Sequence, residues 1–441
     1  MSLDARQSEA PLTSPEELEA TFRSAERRDA RLLIGLEHEK FIYPAQGMRA
    51  VPYDGPAGIG ALMGRFEEVD GWEAWREAPG LPAIALTHGG SATISLEPGG
   101  QFEFSGSPFA TAREAHAENL DHLTHLAEHT RALGLRVLTH GYRPFDVLSE
   151  MPWMPKSRYG AMRQTLGARG SHALHMMLMT ATGQVSLDWR DEADCARKVT
   201  AASRLTPVTV ALFANSPIVE GRESGFQSFR SRVWNDVDPA RCGTPAFFVD
   251  GSFSYRRYVA WALEAPLLFL RREGRYLTPP LTFGQLLRDG YEGKPALASD
   301  WVDHLSTLFP EVRIKRVLEI RSADGNDGPM TGALAAMMRG LLYDQRSLDA
   351  LHDALAMTPA QHHALHLAAQ KDGLRAEADG LSVKAFATIA LKLAADGLER
   401  LDPADRPLLA PLEAVLADGR APAERMLERF RARTAESAFL G

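Results

Sequence analysis

Cysteine is nearly absent, with only Cys195 and Cys242 in 441 residues. Two thiols close one bridge at most, which excludes a disulfide scaffold and a cysteine-rich zinc site. No apolar run reaches the ~18 residues of a membrane-spanning helix; the best, such as 208–214, are far shorter. Basic residues are outnumbered, 49 Lys and Arg against 57 Asp and Glu, for a net charge of −8. The chain therefore lacks the surplus that neutralises nucleic-acid phosphates. Residues 1–15 have neither the apolar centre of a signal peptide nor the Arg-rich, acid-poor character of a transit peptide. No 20–50-residue repeat or low-complexity tract interrupts the chain. These absences leave the expectation of a cytoplasmic globular enzyme, with no nucleic-acid or membrane partner and two or three structural units.

Residues 1–13 are polar and are expected to be loose. Ser14-Pro15-Glu16-Glu17 combines an N-cap, a first-turn proline and a capping-box acid, which predicts a helix to about Arg28. Helical spacing recurs over 54–66, over 111–133 with Gly134 as its stop, and over 193–214. Strand character marks 31–43, 93–106 (broken at Pro98-Gly99-Gly100), 183–189, 247–250 and 313–321. From about Asp344 the chain turns to Ala- and Leu-rich helices, and Phe386, Ile389, Ala390, Leu393 and Leu398 predict a core-facing stripe. The expected division is a catalytic body over 14–343 and a helical region over 344–441 packed on it.

Side chains in a strand alternate faces, and here several strands carry acid on one side. Glu37 and Glu39 share a face, opposite Ile34, Leu36 and His38. Gln101, Glu103 and Ser105 oppose Phe102 and Phe104, and Gln184, Ser186 and Asp188 oppose Val185, Leu187 and Trp189. Lys315, Glu319 and Arg321 oppose Ile314, Leu318 and Ile320, while Glu97 closes a short apolar strand. Single strands of this kind are common on half-exposed antiparallel sheets. Five Glu residues gathered on one face without cations would repel strongly. Glu37 and Glu39 lie about 6.5–7 Å apart by strand rise, a spacing suited to two adjacent ions. Oxygen ligands without a Cys cluster point to Mg²⁺, with Mn²⁺ as the alternative. Two basic clusters, Lys156-Ser157-Arg158-Tyr159 with Arg163 and Arg230-Ser231-Arg232, could hold an anionic partner, although surface Arg and Lys are usually just solvated.

Other features carry less. Gly58-Ile59-Gly60-Ala61-Leu62-Met63-Gly64 misses the dinucleotide fingerprint by one residue and follows no apolar strand. There is no phosphate-binding loop of the Gly-x-x-x-x-Gly-Lys type. His122, His125 and His129, and likewise His362, His363 and His366, fit solvated helix faces better than metal sites. Nothing around Cys195 marks an activated nucleophile.

The strand Gly35-Leu36-Glu37-His38-Glu39-Lys40-Phe41 and the run Glu97-Pro98-Gly99-Gly100-Gln101-Phe102-Glu103-Phe104 resemble motifs of plant-type glutamate–cysteine ligases. So do Trp153-Met154-Pro155-Lys156-Ser157-Arg158-Tyr159, Asn215-Ser216-Pro217, Phe229-Arg230-Ser231 and Leu318-Glu319-Ile320-Arg321-Ser322-Ala323-Asp324, in the same order. The resemblance implies an α+β fold related to glutamine synthetase, a curved antiparallel sheet with helices outside and the site on its concave face. It implies ATP-dependent joining of the glutamate γ-carboxylate to the cysteine amine, as the first step of glutathione synthesis. Matched strand by strand, it makes Glu37, Glu39, Glu97, Glu103 and Glu319 the metal-ligand candidates and Gln184 a site-lining residue. Arg321 is expected at the transferring phosphate or the γ-carboxylate, and Arg230 at the glutamate α-carboxylate. Lys156, Arg158 and Arg163 are expected on glutamate or polyphosphate, and Trp153 and Tyr159 on a cysteine pocket or in the core. The expected partners are glutamate, cysteine and ATP, in a monomer or homodimer. The paired cysteines of plant members have no counterpart here, so no disulfide switch is expected. Same-fold ligation of glutamate to another amine, or a non-catalytic relative, would share most of these motifs.

Overall fold

The computed structural model describes residues 9–432 and Phe439. Its centre is an open antiparallel sheet built from strands β1 (Ile34–Pro44), β2 (Glu73–Trp75), β3 (Ala85–His88), β4 (Ala92–Leu96), β5 (Phe102–Ser105), β6 (Leu135–Leu138), β7 (Thr182–Leu187), β8 (Val312–Ile314) and β9 (Leu318–Asp324). The order is β8-β9-β7-β1-β5-β4-β3-β2, with β6 pairing the outer half of β1. This is the expected α+β arrangement, and its alternation follows the sequence pattern. Ile34, Leu36, Val185, Leu187, Leu318 and Ile320 are buried in one core cluster. Glu37, Glu39, Gln184 and Arg321 face a cavity on the other side.

Helices pack around the sheet, on the cavity side as well as over the apolar face. They include α1 (Pro15–Arg23), α2 (Ile59–Asp70), α3 (Ala112–Ala132), α4 (Arg158–Leu166), α5 (Glu192–Leu212), α6 (Phe229–Trp234), α7 (Gly328–Tyr343), α8 (Pro359–Asp372) and α9 (Val383–Leu401). α3 opens with the capping box Thr111–Glu114 and gives way to left-handed Gly134, as its punctuation predicts. α7 and α9 cross at two glycines so closely that a Cβ on Gly397 would lie 2.1 Å from the Gly340 carbonyl oxygen. Sheet, α5, α7 and α9 share one continuous core. Among the described residues no helix is long and apolar enough to cross a membrane.

Several expectations change. The first helix stops at Arg23 rather than Arg28. Of the stretch expected to be loose, residues 1–8 lie outside the described residues, while Leu12 is buried and its N–H donates to Ala296. The predicted strand at 247–250 is a short helix, Ala246–Val249, preceded by Pro245, because a brief apolar run does not distinguish the two. The single strand expected over 313–321 is the β8–β9 hairpin, in which Arg313 pairs with Glu319. Ile389 is exposed rather than part of the stripe. At about 100° per residue it falls outside the arc holding Phe386, Ala390, Ala394 and Leu398, all buried. The His faces are only partly solvated: His363 is exposed and His125 half-buried, but the other four are buried. His122 stacks on Phe104 with ring centroids 4.3 Å apart, His129 meets Asp70 at 2.7 Å, and His362 and His366 are buried.

Candidate active site

The cavity floor is the acidic face of β1, β5 and β7. Antiparallel register sets Glu39 opposite Glu103 and Glu37 opposite both Ser105 and Gln184. Like charges directly across a strand pair destabilise a sheet unless something offsets them. Glu97 follows β4 at the head of a tight turn, where its carbonyl accepts from Gly100 N at 2.9 Å. That turn admits only glycine at two points. Gly100 has φ +78°, and a Cβ on Gly99 would stand 2.2 Å from the Leu178 carbonyl oxygen. The Gln101 amide locks the turn by donating to the Met177 and Thr180 carbonyls at 3.1 and 2.8 Å. Buried Arg143 completes it by donating to Gly99 O at 2.9 Å. The Gly-Gly-Gln run therefore sets the positions of Glu97 and Glu103.

The acids are crowded, Glu103 buried and Glu37, Glu39 and Glu97 half-buried. Burial pushes the carboxyls of Glu37, Glu39 and Glu97 up, and the charge of Glu103 raises each further. Glu103 itself is held low against its burial, helped by the Ser95 hydroxyl donating at 2.6 Å and by Lys156 and Arg158. Glu39 accepts from Thr182 N at 2.9 Å. Facing these acids are Lys156, Arg158, Arg230, Arg313, Lys315 and Arg321, all on the cavity wall. Arg321 donates to Gln184 at 2.7 Å, and Arg230 donates to the Arg321 carbonyl at 2.8 Å. Burial, then neighbouring Arg313, lowers Arg321 to about 10, and burial, then Arg158, brings Lys156 to about 7. Met162, Met176, Met177, Phe269 and Tyr276 form an apolar flank.

Not every expected residue lies on this cavity. Glu319 sits behind its wall, with Arg313 at 2.5 Å, Lys315 at 2.6 Å and Arg321 at 3.8 Å. Three cations already meet that carboxylate, so it anchors basic side chains more directly than it faces open space. Trp153, Tyr159 and Arg163 line a separate shallow depression that shares Lys156 with the cavity. There Arg163 lies over the Trp153 ring at 5.0 Å. Tyr159 is buried and its hydroxyl donates to Leu96 O at 2.5 Å, bracing the strand end before Glu97. Arg313 was missed as a site residue because the turn between β8 and β9 leaves no mark in the alternation. Thr182, Phe269 and Tyr276 carry no motif at all.

Hard cations suit this donor set. Glu37, Glu39, Glu97 and Glu103 face one cavity, and their mutual repulsion is what a divalent ion would relieve. Among the described residues no three His, Cys, Asp or Glu side chains are gathered closely enough to hold an ion by themselves. An ion here would draw its remaining oxygens from phosphate and water, the usual way Mg²⁺ is bound in phosphoryl-transfer sites. Both cysteines are free thiols, Cys195 buried and Cys242 half-buried.

Comparison with known proteins identifies the family of the chain. The model of a family described as "Glutamate-cysteine ligase family 2 (GCS2)" matches residues 33–439. The chloroplastic glutamate–cysteine ligase of Arabidopsis thaliana is 40% identical over 427 residues, covering 95% of this chain and 80% of that protein. The chloroplastic enzyme of Brassica juncea is also 40% identical over 427 residues, covering 95% and 81%. A glutamate–cysteine ligase of Francisella tularensis, solved with AMP, shares the fold at TM-score 0.58 and 13% identity, over 93% of this chain and 87% of that one. The relatives' locations overturn the cytoplasmic expectation. They are chloroplastic enzymes and point to a plastid rather than the cytoplasm.

Proposed function

The chain belongs to glutamate-cysteine ligase family 2, and we propose that the acidic cavity on the sheet is where its reaction takes place. The protein is an ATP-dependent ligase that forms γ-glutamylcysteine, the first step of glutathione synthesis. One observation carries the assignment of the site: Glu37, Glu39, Glu97 and Glu103 share a cavity with seven buried or half-buried cationic side chains. That combination fits a polyphosphate and its metal, together with a substrate that carries two carboxylates.

A carboxylate is a poor electrophile at neutral pH, so it must be phosphorylated before an amine can displace the phosphate. Glu37, Glu39, Glu97 and Glu103 would hold Mg²⁺ or Mn²⁺, which when bound neutralises phosphate charge and orients the γ-phosphoryl group. Arg321, steadied by Gln184, faces the place where charge accumulates during transfer. Arg230 presents a planar fork suited to the glutamate α-carboxylate. Lys156 and Arg158 extend the positive wall toward the polyphosphate. Glu319 keeps Arg313, Lys315 and Arg321 aligned, so its contribution reaches the site through those cations. The Met and aromatic flank excludes water that would otherwise hydrolyse the acyl phosphate.

We also propose that the helices after residue 343 buttress the catalytic body, since α9 lies along α7 and α8 meets α6. The reading as a whole is tested by ADP release with glutamate, ATP and Mg²⁺ against a panel of amines. Cysteine should give the highest kcat/KM, and turnover independent of cysteine would overturn it.

A further inference from the structure

Arg230 is the second residue of α6, a helix of six residues. A helix that short has little stability of its own, so the aim of Arg230 must be imposed from outside. The constraint converges on one buried carboxylate, Asp324, at the end of β9. Its Oδ2 accepts from Asn215 N at 2.8 Å and from the Ser216 hydroxyl at 2.6 Å, and its Oδ1 from the Ser228 hydroxyl at 2.7 Å. Each serine oxygen then accepts from the first turn of α6. Ser216 Oγ takes Arg230 N at 3.0 Å, and Ser228 Oγ, the N-cap, takes Ser231 N at 3.1 Å.

The direction of these bonds is forced. An ionised carboxylate only accepts, so both hydroxyls must donate to it, which leaves their lone pairs for the helix N–H groups. Room for the carboxylate comes from Gly141, where a Cβ would fall 2.4 Å from Asp324 Cγ. The other end of Arg230 returns to the same strand, its Nη2 donating to Arg321 O at 2.8 Å. β9 thus holds the backbone of Arg230 through Asp324 and its guanidinium through a carbonyl three residues earlier. Asp324 does not line the cavity.

We propose that Asp324 is a positioning residue for glutamate recognition, acting through Ser216 and Ser228 to aim Arg230 into the cavity. This rests on the reading of Arg230 as the glutamate clamp. The test compares Ser216→Ala, Asp324→Asn, Arg230→Lys and the double variant Ser216→Ala/Arg230→Lys, with melting curves confirming the fold. Arg230→Lys comes first: an unchanged KM for glutamate would overturn the clamp reading itself. Given a raised KM there, Ser216→Ala should raise the glutamate KM by about two- to tenfold, the scale of one lost hydrogen bond. Its KM for ATP and its kcat should stay within about twofold on the same scale, and Asp324→Asn should move the glutamate KM further. The double variant should be no worse than Arg230→Lys alone. A folded Ser216→Ala enzyme with an unchanged glutamate KM, or effects that multiply in the double variant, would overturn the role of Asp324.

Discussion

At the scale of single residues, the site trades stability for function. Glu37 is half-buried opposite Gln184 and beside other acids, and its carboxyl is pushed up first by burial and then by Glu103 and Glu319. Replacing it with Gln removes one charge from a crowded set. Glu37→Gln should therefore lose about 10²-fold or more in metal-dependent turnover, the scale of a lost transition-state charge contact. Its melting temperature in EDTA should equal or exceed that of the parent. Near-normal ADP release would remove Glu37 from the site. Arg313 behaves in the opposite way. It donates to Glu319 and the Leu308 carbonyl in the interior and to the half-buried Ser306 carbonyl. Arg313→Met leaves those acceptors short of a donor and should cost about 3 kcal/mol in urea denaturation. A loss below ~0.5 kcal/mol would match an exposed ion pair instead and contradict the buried assignment.

At the scale of elements, the sheet owes its inner face to alternation, and the helical layer owes its closeness to glycine. Acid and apolar residues take opposite faces over 34–39 of β1 and on β5, and polar and apolar residues do so on β7, so the one-sided character of these stretches was legible from residue order. The β8–β9 hairpin was not, because Lys315-Arg316-Val317 contains neither Gly, Pro nor Asn to announce a turn. That turn brings Arg313 opposite Glu319 and so supplies a cation the strand reading overlooked. The crossing of α7 and α9 brings backbones together at Gly340 and Gly397. Gly397→Ala would gain helix propensity, worth about 1 kcal/mol, but its methyl meets a carbonyl. The net result should be a loss of about 1–3 kcal/mol, as expected for overpacking, read from the urea midpoint. A stabilised variant would mean that the helices can separate freely.

At the scale of the whole molecule, buried neutral histidines make the fold sensitive to acid. Burial lowers His38, His140, His304 and His362 to about 3, while in the unfolded chain each titrates near ~6.5. Between those values the unfolded chain binds more protons. The stability these groups contribute is complete above pH ~6.5 and is lost as pH falls toward 3. His304 donates to the Ala262 carbonyl at 2.8 Å from its Nε2, a bond that a Gln amide can replace. His304→Gln should therefore show a smaller drop in urea midpoint between pH 7.5 and 5.5 than the parent. Parallel slopes would exclude His304 as a contributor. Of these four only His362 was expected on a solvated helix face, and its burial was not legible because helix spacing shows which side chains share a face, not what covers it.

Residue order alone determined which carboxylates share a face, where glycine must make the turn between Glu97 and Glu103, and where α3 begins and ends. Each follows from local rules of period, capping and backbone freedom. The tertiary structure decided what depends on distant partners. It set Glu319 behind three cations rather than on the cavity, moved Trp153, Tyr159 and Arg163 to a neighbouring depression, and buried His122, His129, His362 and His366. It also tied Arg230 to Asp324 through two serines separated from that acid by 108 and 96 positions. Such links have no signature in local periodicity, because burial and hydrogen-bond partnership are set by how strands and helices meet.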